Sequence, residues 1–264
     1  MREDLKGSWA LILGASSGFG AATARALAQR GMNVFGVHLD RKPAMPQVQA
    51  LVEELRSLGA AVRFFNVNAA DEENRRLVLD EMAEEMGDGP RVRVFLHSLA
   101  FGALKPYIAE PGQALTKAQM IMTLDVMAHS LVYWVQDLVQ RRYLEHNSRV
   151  FAMTSSGGHI AWKSYGAVSA AKAALESHIR QLALELGPLG ITANAVLAGV
   201  TETPALKQIP GHEKMIQMAR ARNPMGRLTR PEDVAEAIAC FSEPGCYWMT
   251  GSILRVDGGE DVSG

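Results

Sequence analysis

A glycine-rich turn near the N-terminus constrains this chain more than any other stretch. An apolar run, Ser8 to Leu13, passes directly into Gly14-Ala15-Ser16-Ser17-Gly18-Phe19-Gly20. An Ala-rich helical pattern follows from Ala21 to Arg30, with Gly31 placed where a helix would stop. Between a strand and a helix, three such glycines permit a tight turn, close approach of a pyrophosphate and close packing of helix on strand. The helix N-terminus then faces the phosphates. The GxxxGxG spacing is a variant of the dinucleotide fingerprint, and a strand before with a helix after is the context that fingerprint needs.

The remainder of the chain repeats the alternation. Apolar runs predict strands at Asn33 to Leu39, Ala61 to Val67, Val92 to Leu96, Val150 to Met153, Ile191 to Leu197 and Ile253 to Val256. Helices are expected at Gln47 to Leu58, from Asp71 and Asn74 to Met86, and from Ala170 to Leu186. Another long helix, opened by a Thr116/Gln119 capping box, should reach about Arg142, and one more starts around Thr229 and Glu232. Strands alternating with helices call for a parallel sheet covered on both faces, an α/β doubly wound fold of Rossmann type. No composition shift divides the chain, so residues 1–264 are expected to form one dinucleotide-binding domain. The polar stretch from Ala205 to Pro224 reads as irregular and mobile, a lid over about 204–225.

Composition excludes several classes. Apolar residues make up 48% of the chain and the formal net charge is −1, so no basic stripe for nucleic acid is expected. No run approaches eighteen apolar residues, and Met1-Arg2-Glu3-Asp4 lacks a signal-peptide core, which predicts a cytoplasmic protein outside the membrane. Cys240 and Cys246 match neither a zinc spacing nor a disulfide framework, and no metal is expected.

The residues that carry chemistry lie at predicted strand ends. Asp40 follows Gly20 by twenty residues, the distance for a carboxylate on the adenosine ribose 2′-hydroxyl, and would repel a 2′-phosphate. Arg41 could hold that phosphate instead; Ser17 adds no positive charge, so the balance favours NADH over NADPH. Ser155, Tyr165 and Lys172 bring a hydroxyl, a phenol and an amine together around one strand-to-helix passage, suited to polarising and protonating an oxygen beside a nicotinamide. Tyr165 and Lys172 are seven residues apart, two helical turns or roughly 10 Å along an axis. The position one turn before Lys172 is Val168, which has no proton to give. His97 reads mainly as a structural histidine, Asp125 as a helical acid that could support the site, and Met120, Met122 and Met127 as packing. Met215 and Met218 could also line a site for a flexible apolar chain.

Together, the glycine turn, Ser155/Tyr165/Lys172, Gly199 to Thr203 and the closing Val256-Asp257-Gly258-Gly259 resemble the short-chain dehydrogenase/reductase superfamily over nearly the whole chain. Most of that superfamily carries Tyr-x3-Lys; Tyr-x6-Lys, as here, marks its enoyl-acyl-carrier-protein reductase branch. His97-Ser98-Leu99-Ala100-Phe101 and Asp125-Val126-Met127-Ala128-His129-Ser130 are similar to that branch too, and the lid, Thr203-Pro204-Ala205-Leu206-Lys207 through Pro224-Met225-Gly226-Arg227, resembles more the FabL-like enoyl reductases. Two departures are visible: Ser155 stands where many enoyl reductases have a second tyrosine, and Asp40 and Ser17 replace the basic residues of NADPH-preferring members.

The resemblance implies reduction of the trans-2 double bond of an enoyl thioester, with acyl-carrier protein as carrier, in fatty-acid synthesis, by a homotetramer. Tyr165 would bind the thioester oxygen, Lys172 the nicotinamide ribose, and Ser155 would orient the substrate. The cofactor would touch Gly14, Ser16, Ser17, Gly18, Phe19 and Gly20 in the turn, and Asp40, Arg41, Asn66 and Val67 around the adenosine. Ser98, Leu99, Ala100, Gly199, Val200, Thr201 and Thr203 would complete its cleft. The competing expectations are a ketoreductase or alcohol dehydrogenase of the same superfamily, or a cofactor-binding sensor without turnover.

Overall fold

The computed structural model describes residues 5–89 and 91–263. Seven parallel strands form one sheet: β1 (Trp9–Leu13), β2 (Asn33–His38), β3 (Val62–Asn66), β4 (Val92–His97), β5 (Arg149–Ser155), β6 (Thr192–Ala198) and β7 (Ile253–Val256). Their order is β3-β2-β1-β4-β5-β6-β7. Every residue of β1 and β6 is buried, as expected of central parallel strands covered on both faces.

On one face lie α1 (Gly18–Ala28), α2 (Met45–Ser57) and α8 (Pro231–Phe241), packed through Leu27, Leu51, Leu55 and Ile238 onto Ile12, Leu96 and Phe151. The other face carries α3 (Glu72–Met86), α4 (Lys117–Leu124), α5 (Ser130–Gln140) and α6 (Gly166–Leu186). There Trp134, Leu79 and Leu175 cover Leu11, Phe95 and Val150. A last helix, α7 (His212–Arg222), stands beyond the sheet's carboxyl end. The chain leaves β1 towards β2 and β3, then returns to β4 on its other side. That reversal opens a crevice beyond the carboxyl ends of β1 and β4, the place where such sheets bind ligands.

Several expectations need correction. The helix opened by the Thr116/Gln119 capping box, which is present, is not continuous: a π-helical turn at Asp125–His129 separates α4 from α5, and the helix ends at Gln140. A π-turn adds a residue without changing hydropathy period enough to read in sequence. The stretch 205–224 is not irregular, because α7 occupies half of it. Its apolar positions face a cavity across the crevice rather than the sheet core, which blurs its amphipathic pattern. The helix expected around Thr229 and Glu232 does begin there, as α8 at Pro231, with the Asp233 carboxylate accepting from the Arg230 N–H at 2.8 Å. None of the described helices is long and apolar enough to cross a membrane.

Candidate active site

The glycine turn is built by close approach. Gly14 has φ +84°, and a Cβ there would lie 2.4 Å from the Ser98 carbonyl oxygen. At Gly20 a Cβ would come within 2.0 Å of the Gly14 carbonyl oxygen. Neither position admits a side chain, and the turn is thereby held flat against the end of β4. Gly18 faces Thr203 across the crevice, its missing Cβ 3.4 Å from the threonine methyl. Ser16 is half-buried, Ser17 is exposed and precedes α1 in extended conformation, and Phe19 lines the cavity described below. Gly14, Gly18, Ser98 and Thr203, from three distant segments, thus meet around one cradle that fits a dinucleotide's pyrophosphate.

At the end of β2, Asp40 is held from both sides. The buried His38 donates from Nδ1 to Asp40 Oδ2 at 2.9 Å. Asn66 clamps the Asp40 backbone, accepting from its N–H and donating to its carbonyl, each at 3.0 Å. The Asn66 side chain is therefore committed to shaping Asp40, while Val67 continues the sheet edge through its N–H to His38 O at 2.8 Å. Arg41 is exposed beside them. His38 could not be singled out from sequence, because nothing there distinguishes a histidine two residues before an aspartate.

Ser155 closes β5, and Tyr165 directly precedes α6, outside the helix at φ −99° and ψ 0°. The nine residues between them bend back on themselves so that phenol and hydroxyl become neighbours. A Cβ at Gly157 would lie 2.6 Å from the Tyr165 ring and 3.1 Å from Ser155 Oγ. Ser155 Oγ is buried without a well-formed hydrogen bond to any described residue. Burial pushes the Tyr165 phenol up, and the nearby Ser155 hydroxyl pulls the other way. Ser164, just before the tyrosine, is one of three described non-glycine residues with positive φ, at +63°, which marks a forced turn into α6.

Lys172 reaches back under the sheet end. It is 6% exposed, and its Nζ donates to the Met153 carbonyl at 2.7 Å. Burial lowers its pKa to about 8, against a smaller upward pull from Glu176 one turn along α6. Glu176 itself accepts from Thr154 Oγ1 at 2.6 Å. Val168 fills the position one turn before Lys172, buried and forming part of the cavity wall.

His97 is fully buried, and its Nε2 lies 2.9 Å from Ser130 Oγ. Ser130 gives its proton to the Val126 carbonyl at 2.8 Å, so Nε2 carries the hydrogen that it donates to Ser130. Desolvation, with the Lys172 charge adding to it, lowers the His97 pKa to about 3, so this imidazole is neutral at working pH. Asp125 opens the π-turn beside it.

Beyond β6, Thr201 Oγ1 donates to the Gly199 carbonyl at 3.0 Å, and Thr203 Oγ1 accepts from the Leu206 N–H at 3.2 Å. The Val200 N–H is taken by the carboxylate of Glu260 at 3.0 Å. Leu99 packs against the core and Ala100 borders the cavity.

The cavity has a volume of about 590 Å³ and joins the glycine turn to Ser155 and Tyr165. Its walls are mainly apolar: Phe101, Met127, Ile160, Trp162, Met215 and Met218 among them. Met127 therefore serves the cavity as well as the core, and Met215 with Met218 line it from α7. Phe101, Trp162 and Ile160 sit in loops without periodicity, so no sequence pattern pointed to them. Trp162 also ties the loop before Tyr165 to the approach of α7, donating from Nε1 to the Pro210 carbonyl at 3.2 Å.

This arrangement, a nucleotide-fitting glycine turn feeding an apolar cavity with a buried phenol and amine, defines an oxidoreductase of Rossmann type. Residues 14–260 match a family model described as Enoyl-(Acyl carrier protein) reductase. The chain belongs to this enoyl-reductase-type family of the short-chain dehydrogenases/reductases. It is similar to cis-4-hydroxycyclohexanecarboxylate dehydrogenase of Sinomonas cyclohexanicum, with 32% identity over 95% of each chain. A 1-cyclohexenylcarbonyl-CoA reductase of Streptomyces collinus is 30% identical over 96% of this chain and 86% of its own. The crystal structure of an enoyl-[acyl-carrier-protein] reductase (NADH) from Aquifex aeolicus superposes over 98% of both chains with a TM-score of 0.86, at 21% identity, and shares the fold.

Proposed function

We propose that the protein reduces the trans-2 double bond of an enoyl thioester with a nicotinamide dinucleotide, NADH in preference to NADPH. One observation carries the reading: the phenol has left the position one turn before Lys172, now the apolar Val168, and stands beyond the helix start beside Ser155. In carbonyl reduction the carbon that accepts hydride bears the oxygen that needs the proton. In enoyl thioester reduction hydride goes to the β-carbon, and negative charge collects on the thioester oxygen two atoms further away. A donor displaced from the ribose-binding lysine suits the second geometry.

Residue roles follow from the surroundings. When bound, the dinucleotide supplies the hydride. The Tyr165 hydroxyl meets the thioester oxygen and donates a hydrogen bond that strengthens as charge develops there. The buried Ser155 Oγ, beside the Tyr165 ring, holds the phenol or the same oxygen in line. The Lys172 ammonium favours the phenolate, helping proton release, and it binds the nicotinamide ribose once its amine turns from the Met153 carbonyl. Substrate filling this mainly apolar cavity would displace water and strengthen each of these interactions. Asp40, oriented by His38 and Asn66, favours a free 2′-hydroxyl on the adenosine ribose. The Streptomyces relative supports the reading, since 1-cyclohexenylcarbonyl-CoA is itself a conjugated enoyl thioester.

A second reading, a carbonyl–alcohol oxidoreductase, draws on the Sinomonas relative, which is a hydroxy-acid dehydrogenase by name. Oxidation of NADH and of NADPH is to be followed with crotonyl-CoA and, separately, acetoacetyl-CoA. Turnover of crotonyl-CoA alone is expected, faster with NADH. Turnover of acetoacetyl-CoA alone would overturn the proposal. Tyr165→Phe is expected to lower kcat by about 10²–10³, the usual loss for one oxyanion donor. Titration of the same variant with NADH should show binding unchanged.

A further inference from the structure

One buried charge has no part in the chemistry above. Glu260, in the turn after β7, is 2% exposed. Its Oε2 accepts from the Val200 N–H at 3.0 Å, and its Oε1 accepts from Arg222 Nη2 at 3.1 Å. A Cβ at Gly199 would come within 2.8 Å of the same carboxylate and 2.5 Å of Thr229 Oγ1, so the loop 199–203 is pressed onto it. Arg222 is the last residue of α7, and both Val200 and Arg222 line the cavity. The next residue, Asn223, donates to the Asp257 carbonyl at 2.9 Å, which places this end of α7 against the turn that carries Glu260.

A buried ion pair of this kind adds little to stability compared with apolar residues of the same volume. What it does here is join two parts that must act together: the loop beside the reacting end of the cofactor cleft and the helix that walls the acyl cavity.

We propose that Glu260 is a positioning residue that couples α7 to the 199–203 loop, so that the lid settles over the acyl group only when that loop is in place. This rests on the enoyl thioester reading for its substrate, but not for the coupling itself. In the arrangement seen here Glu260 is fixed by Val200 and Arg222 by Glu260, and cofactor packed against the loop would hold that arrangement in place. The thioester then enters a cavity whose α7 wall, with Met215 and Met218, is already set.

The test uses the full-length protein and the neutral pair R222M/E260Q, which leaves no unpaired buried charge and keeps an oxygen for the Val200 N–H. NADH affinity is read by intrinsic fluorescence, lid closure by trypsin cleavage at Lys207 and Lys214 with and without NADH, and KM and kcat with crotonyl-CoA. NADH affinity within about twofold of the parent is expected. NADH should no longer protect the two lysines, and KM for crotonyl-CoA should rise roughly tenfold or more, the loss for one charged hydrogen bond, with kcat changed less. R222K, which retains the charge, should recover most of the protection. E260A, which frees Val200 as well, should weaken NADH binding too. Unchanged protection and unchanged KM in R222M/E260Q would overturn the coupling, as would an equal loss of NADH affinity in R222M/E260Q and E260A. If the parent turns over no thioester while NADH protection still depends on the pair, the enoyl reading falls and the coupling stands.

Discussion

In the proposed mechanism Lys172 is two things at once: a cation that holds the nicotinamide ribose and a side chain almost sealed from water. Its pKa of about 8 means that the ammonium is lost as pH rises through that value in the cofactor-free protein. The alkaline limb of kcat/KM is therefore expected near pH 8. Glu176 holds that limb up, so Glu176→Gln should move it to lower pH; a limb that stays put would remove Glu176 from the site's electrostatics. Stability runs the opposite way. The unfolded lysine binds its proton up to about 10.5, the folded one only to about 8, so between those values the unfolded state binds more protons and this group makes stability rise with pH. Below pH 8 the buried charge costs about 3 kcal/mol. Lys172→Met is accordingly expected to be inactive yet more stable than the parent at pH 7, with the advantage shrinking towards pH 10 in denaturant titrations. The identities of Ser155, Tyr165 and Lys172 stand out in the sequence because hydroxyl, phenol and amine are crowded there. The lone pairs that orient the site do not. His38 on Asp40, Ser130 on His97 and Glu260 on Val200 are contacts between residues that sequence separation or chemistry does not single out.

Among the elements, the glycine turn allows the sharpest prediction. Gly20→Ala would drive a methyl into the Gly14 carbonyl at the start of α1, with backbone on both sides and no flexible side chain to yield. The variant is expected to fold, since the collision is local, but to lose NADH binding. At NADH concentrations about 100-fold above Kd the parent gains roughly 2.7 kcal/mol, or several degrees in Tm, and Gly20→Ala should gain none. Strand periodicity and the glycine stops located all seven strands, because buried parallel strands are short, apolar and flanked by turns. The π-turn at 125–129 and helix α7 escaped that logic for different reasons. The first is a one-residue change in winding inside a helix that reads as continuous. The second packs over a ligand cavity, so its apolar residues are too few and too spread to mark a face. The elements that sequence hid are thus the ones that border the cavity.

At the scale of the whole molecule, the sheet is filled outward from its centre. The first strand takes the middle, β2 and β3 extend one side, and β4 to β7 are added in chain order on the other. Both apolar layers span several of these additions, with Leu11 and Val150 in one and Ile12 and Phe151 in the other, so neither half of the sheet has a core of its own. The Glu260 carboxylate comes in after the last strand. A chain in the course of synthesis that has completed β6 already owns the glycine turn, the serine, the tyrosine and the lysine. It does not yet own the group that sets the 199–203 loop against α7. The proposed link between cofactor cleft and acyl cavity is thus the last part of the site that the chain supplies, added only once β7 is complete.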